Sequence, residues 1–157
     1  MSNTTMSSPM PPKGIATFFR QVIALLERIP FAIAPLFMRF GMALVFWRSA
    51  QTKLANWDTT LLLFREEYRV PLLPPELAAY LATAVELTAP VLLVVGLGAR
   101  LGASAMLAMT LVIQFFVYPQ SYPDHLLWAG PLLYLILRGA GTLSIDHAIR
   151  RQLMSAR

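Results

Sequence analysis

Residues 77–99 read LAAYLATAVELTAPVLLVVGLGA, and this stretch decides the fold class because Glu86 is its only charged residue. A helix needs about 20 predominantly apolar residues to cross the hydrocarbon core of a bilayer. A buried helix of a soluble protein is the alternative, but so long an apolar run is unusual for one. The stretch therefore predicts a membrane-spanning helix.

Three further apolar stretches share this character. Residues 30–47 are interrupted only by Arg39, residues 101–118 carry no formal charge, and residues 126–137 are apolar but short. We predict four spans, at about 30–50, 76–97, 100–118 and 123–138. Short connections force successive helices to be antiparallel neighbours. The expected fold is all-α, an integral membrane antiparallel four-helix bundle.

The ends of the chain differ from this membrane domain, which we place at residues 14–146. Residues 1–13 are polar and proline-rich, and we expect a disordered N-terminal tail. Apolar residues recur at helical spacing in residues 14–29, which predicts an amphipathic helix lying in the membrane interface. Residues 147–157 are predicted to form a basic cytoplasmic tail. Within the longest connection, Asp58 is the expected N-cap of a short helix.

The composition excludes several classes of protein. Hydrophobic residues make up 57 % of the chain and charged residues only 13 %, which argues against a disordered chain and most cytosolic enzymes. The absence of cysteine excludes disulfides, thiolate metal sites and cysteine nucleophiles within this chain. We predict no metal site, because methionines inside spans more often fill gaps than bind copper.

The net charge of +5 fits a membrane protein better than a nucleic-acid-binding one. Basic residues flank membrane spans as orientation signals and are in excess on the cytoplasmic side. Eight basic residues lie on the side that holds both termini and the second connection: Lys13, Arg20, Arg28, Arg100, Arg138, Arg150, Arg151 and Arg157. Four lie on the opposite side: Arg48, Lys53, Arg65 and Arg69. We therefore expect a multi-pass protein of the inner membrane with both termini in the cytoplasm.

Arg39 and Glu86 are the most informative polar residues, because both fall near the middle of predicted spans. A charge at that depth costs at least about 2.5–3.5 kcal/mol on insertion scales, so such residues usually face the bundle interior and pair. We predict a buried Arg39–Glu86 pair. It either fixes the helix register or forms a polar site for a quinone, a proton or a small ligand, and Gln114 could extend this ligand-binding or buried polar centre.

Lys53 and His125 are predicted to lie at the outer mouth of the bundle. A histidine there could exchange protons with a quinol. The plainer interpretation, which we favour, is an interfacial residue.

Several short patterns together resemble the DoxX family of small four-helix membrane proteins. They are RFGMALVF from Arg39, SAQTKL with Lys53, Glu86 followed by VLLVVGLGAR, and GAGTLSID at residues 139–146. The resemblance marks Arg39, Lys53, Glu86, Arg100 and Asp146 as characteristic polar positions. Ser144 also reads as the N-cap of a short helix, with Asp146 in its first turn.

What the resemblance implies is a role in membrane redox or metal-stress systems, some of them related to copper. The leading hypothesis is an accessory, non-enzymatic subunit that binds quinone in the bundle and works with a membrane or periplasmic redox or metal-handling partner. A stand-alone quinone-linked oxidoreductase is one alternative. A small transporter is the other, and it would require a homo-oligomer with charges at the subunit interface. The lipid bilayer is the other expected partner, and nucleic acid is not expected.

Overall fold

A computed structural model describes residues 13–28 and 30–155 of the chain. The predicted tail at residues 1–13 lies outside the described residues, apart from Lys13. The first helix, α1 (Lys13–Glu27), belongs to a compact unit separate from residues 32–157. Its large apolar side chains, among them Phe18, Leu25 and Leu26, are all exposed. The predicted helix is thus confirmed, and its placement in the membrane interface stays a prediction.

The second unit contains six α-helices and, within the described residues, no strand. Four long helices form a bundle, and two shorter ones lie in a connection and at the C-terminal end. The bundle helices are α2 (Ile33–Ala55), α4 (Pro75–Val95), α5 (Ala99–Val112) and α6 (Tyr122–Arg138); the others are α3 (Trp57–Leu63) and α7 (Ile145–Ser155).

Each bundle helix packs against two others. α2 contacts α4 and α6, and α5 contacts the same two helices. The contacts run antiparallel: Arg39 near the start of α2 reaches Leu93 near the end of α4, and Phe46 of α2 stacks on Trp128 in the first half of α6. The expected antiparallel four-helix bundle is the observed architecture.

Among the residues that the structure describes, two helices are long and apolar enough to cross a membrane. They are α4 and α5, the latter counted with its extension to Val117. α2 has sufficient length but contains Arg39, Arg48 and Lys53, and α6 has only 17 residues. The predicted spans at about 76–97 and 100–118 are therefore supported by length and composition, and those at about 30–50 and 123–138 stay predictions.

Small residues allow these helices to approach closely. Ala43, Ala89 and Ala103 are buried in the core, and side chains of this size let backbones pack tightly in membrane bundles. The larger core residues fill the remaining space: Met42, Phe46, Leu93, Met106, Leu132 and Leu135.

The helix ends are set by local chemistry. α4 starts at Pro75, as expected for a proline in a first helical turn, and ends at Gly96, whose φ of 71° is the left-handed conformation that glycine favours. Asn56, rather than Asp58, caps α3 by accepting a hydrogen bond from the Thr59 amide at 3.0 Å. The predicted Asp58 cap is wrong because the helix starts earlier, which leaves Asp58 in its first turn.

Two helices end in a turn of wider π-helix that the sequence did not reveal. Residues Phe64–Tyr68 extend α3, and residues Ile113–Val117 extend α5. Such turns are rare and are often found at functional sites. The two π-helical turns bring the rings of Tyr68 and Tyr118 to 5.7 Å between centroids, in an edge-to-face arrangement.

Gly102 provides a test of the close packing between α4 and α5. A Cβ atom at this position would lie 2.8 Å from Leu93 Cδ1 and 3.3 Å from the Ala89 carbonyl oxygen. We expect Gly102→Ala to lower the free energy of unfolding by about 1–3 kcal/mol, because overpacking outweighs the helix propensity of alanine. Thermal unfolding in detergent measures the effect.

Gly41→Ala in α2 is the matched control, because nothing lies within 4 Å of a Cβ atom there. It should leave stability unchanged or raise it by up to about 1 kcal/mol. Equal destabilisation by both substitutions would contradict the packing described.

Candidate functional site

A cavity of about 780 Å³ lies inside the bundle. All four bundle helices and both π-helical turns contribute to its lining, most of which is apolar. Several lining residues are also partly exposed at the protein surface, including Val45 and Leu81, so the cavity communicates with the outside. Its size and apolar character are typical of a binding site for a small organic molecule.

One polar group on the cavity wall is formed by Ser49, Lys53 and Glu86. Glu86 Oε1 accepts hydrogen bonds from Lys53 Nζ at 2.7 Å and from Ser49 Oγ at 2.9 Å. Lys53 Nζ also donates to Ser49 Oγ at 3.0 Å. The Lys53 ammonium therefore neutralises the Glu86 carboxylate, whose side chain is only 3 % exposed.

The second carboxylate oxygen of Glu86 differs from the first in its hydrogen bonding. Oε2 is buried, and no group of the described residues donates a hydrogen bond to it. A buried acceptor without a donor is uncommon in native proteins and costs about 1–3 kcal/mol. The Ser49–Lys53–Glu86 group thus contains a buried acceptor that the described residues leave unpaired.

The predicted Arg39–Glu86 pair is wrong. Arg39 instead donates to four backbone carbonyl oxygens, those of Leu93 at 2.5 Å, Val94 at 2.5 Å, Ala140 at 3.2 Å and Leu143 at 2.6 Å. Leu93 is seven residues beyond Glu86, which is two helical turns or about 10 Å along α4. Lys53, which sequence analysis placed at the outer mouth, is the cation that meets Glu86.

The carbonyl oxygens explain why Arg39 is buried. The last carbonyls of a helix have no amide partner within it, and in α4 the Gly96 turn satisfies those of Leu92 and Leu93 but not that of Val94. A guanidinium group offers five N–H donors in a planar fork, enough to cap this end and the link between α6 and α7 together. Arg39 is a structural residue here, and it does not line the cavity.

His125 lies in the cavity wall, buried to 5 % exposure, and its predicted position at the membrane interface stays a prediction. Its Nδ1 atom is 2.6 Å from Gln114 Oε1, and its ring is 5.3 Å from that of Trp128. Gln114 lies in the π-helical turn after α5, and the wider turn places its amide against the start of α6. Gln114 therefore supports His125, and it does not join Arg39 and Glu86 in one polar centre.

Tyr118 lines the cavity and contacts Glu67, which is exposed and lies outside the cavity lining. The Tyr118 hydroxyl donates to Glu67 Oε1 at 2.6 Å. Burial, and to a lesser degree the hydrogen bonds with Glu67 and Tyr68, raise the pKa of the Tyr118 phenol. Tyr118 therefore stays protonated, and its hydroxyl remains a donor at all physiological pH values.

The remaining predicted positions lie at the other end of the bundle. Asp146 accepts hydrogen bonds from the amides of Gly98 at 2.8 Å and Ala99 at 3.1 Å, which caps the N-terminus of α5. Ser144 Oγ accepts from the His147 amide at 3.2 Å, so the predicted N-cap of α7 is confirmed. Arg100 donates to the Leu137 carbonyl oxygen. These contacts fasten helix ends, and none of the three residues lines the large cavity.

Metal ligands are not grouped in the described residues: no three His, Asp or Glu side chains lie together in a way that could hold an ion. The chemistry that the cavity offers is therefore hydrogen bonding and charge, from Lys53, Glu86 and His125.

Comparison with known protein families identifies the chain. A family model described as DoxX matches residues 34–119, more than half of the sequence. The chain belongs to the DoxX family. The matched segment includes Arg39, Lys53, Glu86 and Arg100, whereas Ser144 and Asp146 lie beyond it. Searches of curated proteins and of solved structures find no match.

In this DoxX family membrane protein the predicted polar residues thus fall into two places. Arg39 with Asp146 holds helix ends together, and Lys53, Glu86 and His125 line a cavity. Ser49 and Lys53 are one helical turn apart on the same face of α2. This spacing was the sequence signal that could have placed Lys53 beside a polar partner.

A double-mutant cycle distinguishes the observed ion pair from the one predicted. Lys53→Met and Glu86→Gln should each destabilise the protein, and the double variant should recover much of the loss, with a coupling energy of about 1–3 kcal/mol. Chemical unfolding of the purified protein in detergent measures all four free energies.

Arg39→Lys combined with Glu86→Gln is the comparison cycle. The two residues share no hydrogen-bond partner, so their effects should add to within about 0.5 kcal/mol. Strong coupling of Arg39 with Glu86, and none of Lys53 with Glu86, would contradict the arrangement.

Proposed function

We propose that this protein is an accessory subunit of a membrane redox or metal-stress system and that it binds a quinone in the cavity of the bundle. The observation that carries the proposal is the combination of a large apolar cavity with a few convergent polar groups. The apolar lining suits a ring with a hydrocarbon tail, and Lys53 offers a hydrogen-bond donor to an oxygen of a quinone head group.

Lys53 is the natural donor to a quinone carbonyl oxygen. An ammonium group has three N–H donors, and Lys53 uses two of them for Ser49 and Glu86. Its side chain is 16 % exposed and lines the cavity, so the third donor is available to a ligand there.

The accessory role follows from the chemistry that the chain carries. With no cysteine and only two histidines, the sequence offers few groups for electron transfer, so we assign the oxidation or reduction of the bound molecule to a membrane or periplasmic partner. Buried hydrogen-bonding groups can still select, orient and protect a quinone for such a partner.

We also propose that the protein lies in the inner membrane with both termini in the cytoplasm. Arg100, Arg138 and Arg150 line a surface pocket at one end of the bundle. Arg65 and Arg69 follow α3 at the opposite end, in the connection that would face outward. An excess of basic residues marks the cytoplasmic side.

Filling the cavity should abolish quinone binding. Ala82 lies on the lining, and we expect Ala82→Phe to weaken the binding of a short-chain benzoquinone by at least about tenfold because the new ring occupies the space of the head group. Isothermal titration calorimetry with purified protein in detergent measures the dissociation constant.

Ala84→Phe is the matched control, since Ala84 lies two residues away on the same helix, is exposed and does not line the cavity. It should bind within about twofold of the unmodified protein. The proposal would be wrong if the unmodified protein bound no quinone, or if both substitutions weakened binding equally.

A further inference from the structure

The hydrogen bonds around His125 indicate which chemical form of the ligand fits the cavity. Its Nδ1 atom is 2.6 Å from the amide oxygen of Gln114, and the amide nitrogen of Gln114 donates to the Pro119 carbonyl oxygen at 2.9 Å. A carbonyl oxygen can only accept hydrogen bonds, so the NH₂ group of Gln114 must face Pro119. The amide oxygen then faces His125.

This orientation determines which nitrogen of the His125 ring carries the hydrogen. Because Gln114 Oε1 is an acceptor, Nδ1 of His125 must be the donor and carry the hydrogen. In the neutral imidazole the other nitrogen, Nε2, then holds a lone pair and can only accept. Within the described part of the chain no group donates to Nε2, and the ring borders the cavity.

The cavity wall therefore includes an acceptor, Nε2 of His125, as well as the donor Lys53. Oε2 of Glu86 is buried and does not face a ligand in the cavity. An oxidised quinone has only acceptor oxygens and would leave Nε2 unsatisfied. A hydroquinone has two hydroxyl groups, each of which donates one hydrogen bond and accepts others.

We infer that the cavity is selective for a hydroxyl-bearing ring, the reduced quinol rather than the oxidised quinone, and that His125 Nε2 accepts the hydrogen bond of its hydroxyl. The inference rests on the proposed function, because it names the redox form of the molecule bound at the same site. Lys53 then donates to the oxygen of a hydroxyl group, and the Trp128 ring beside His125 contributes apolar surface against the head group.

Three matched probes test this selectivity: a hydroquinone, its dimethyl ether and the corresponding quinone. An alkyl hydroquinone, kept under anaerobic conditions, can donate from both hydroxyls, whereas its dimethyl ether keeps the ring and tail but donates nothing. The unmodified protein should bind the hydroquinone at least about fivefold more tightly than the ether and than the corresponding quinone, as expected for one net hydrogen bond. Calorimetric titration of the full chain in detergent gives the three dissociation constants.

Two substitutions test whether His125 causes the preference for the hydroquinone over its ether. His125→Asn retains a side-chain N–H near the position of Nδ1, which can still donate to Gln114, but it removes Nε2. His125→Phe retains the ring against Trp128 and removes both nitrogens. Both variants should bind hydroquinone and ether within about twofold of each other. His147→Asn is the matched control, since His147 lies in α7 away from the cavity, and it should keep the full preference.

The outcomes separate this inference from the proposed function. If the unmodified protein binds the quinone and the hydroquinone equally, the selectivity is refuted while the quinone site stands. If the preference survives in the His125→Asn variant, His125 is not the acceptor and the assignment is overturned. If none of the probes binds, both the proposed function and the inference fail.

Discussion

The hydrogen bonds from Arg39 to backbone carbonyl oxygens are the constraint on which the bundle depends. A single guanidinium group of α2 joins the end of α4 to the segment between α6 and α7. In a membrane the alternative partner, water, is scarce, so each carbonyl oxygen left without a donor costs several kcal/mol. The arrangement also requires Gly96, because a Cβ atom there would lie 2.7 Å from Arg39 Nη2 and 2.6 Å from Ser144 Cβ.

With one end of the bundle fastened in this way, the other end can remain open. A cavity lies there beside the core, and the π-helical turns of residues Phe64–Tyr68 and Ile113–Val117 help to line it. Pro90 adds to the irregularity, since it lacks the N–H that would bond to the Glu86 carbonyl oxygen within α4. The polar side chains near the cavity are thus held by one another rather than by a tightly packed interior.

The sequence predicted the four bundle helices, their antiparallel order and the burial of Arg39 and Glu86, because these follow from hydropathy and from the cost of charge in hydrocarbon. The sequence did not reveal which groups Arg39 and Glu86 contact. Two opposite charges near the same predicted depth suggested an ion pair. Depth alone does not reveal that α4 ends beside Arg39, where its last carbonyl oxygens lack amide donors. The burial of His125 was missed as well, because the π-helical turn that brings Gln114 to it leaves no signal in apolar periodicity.

In this small DoxX family membrane protein, Arg39 fastens one end of the bundle, and the cavity at the other end is the proposed ligand site. Photo-crosslinking with an azido-quinone, followed by mass spectrometry of the labelled peptides, tests this central claim most directly. The account predicts labelling of cavity-lining segments of α2, α4, α5 and α6 that excess unlabelled quinone or quinol prevents. Labelling confined to lipid-facing residues such as Phe37 and Leu44, or labelling that competitor leaves unchanged, would contradict it.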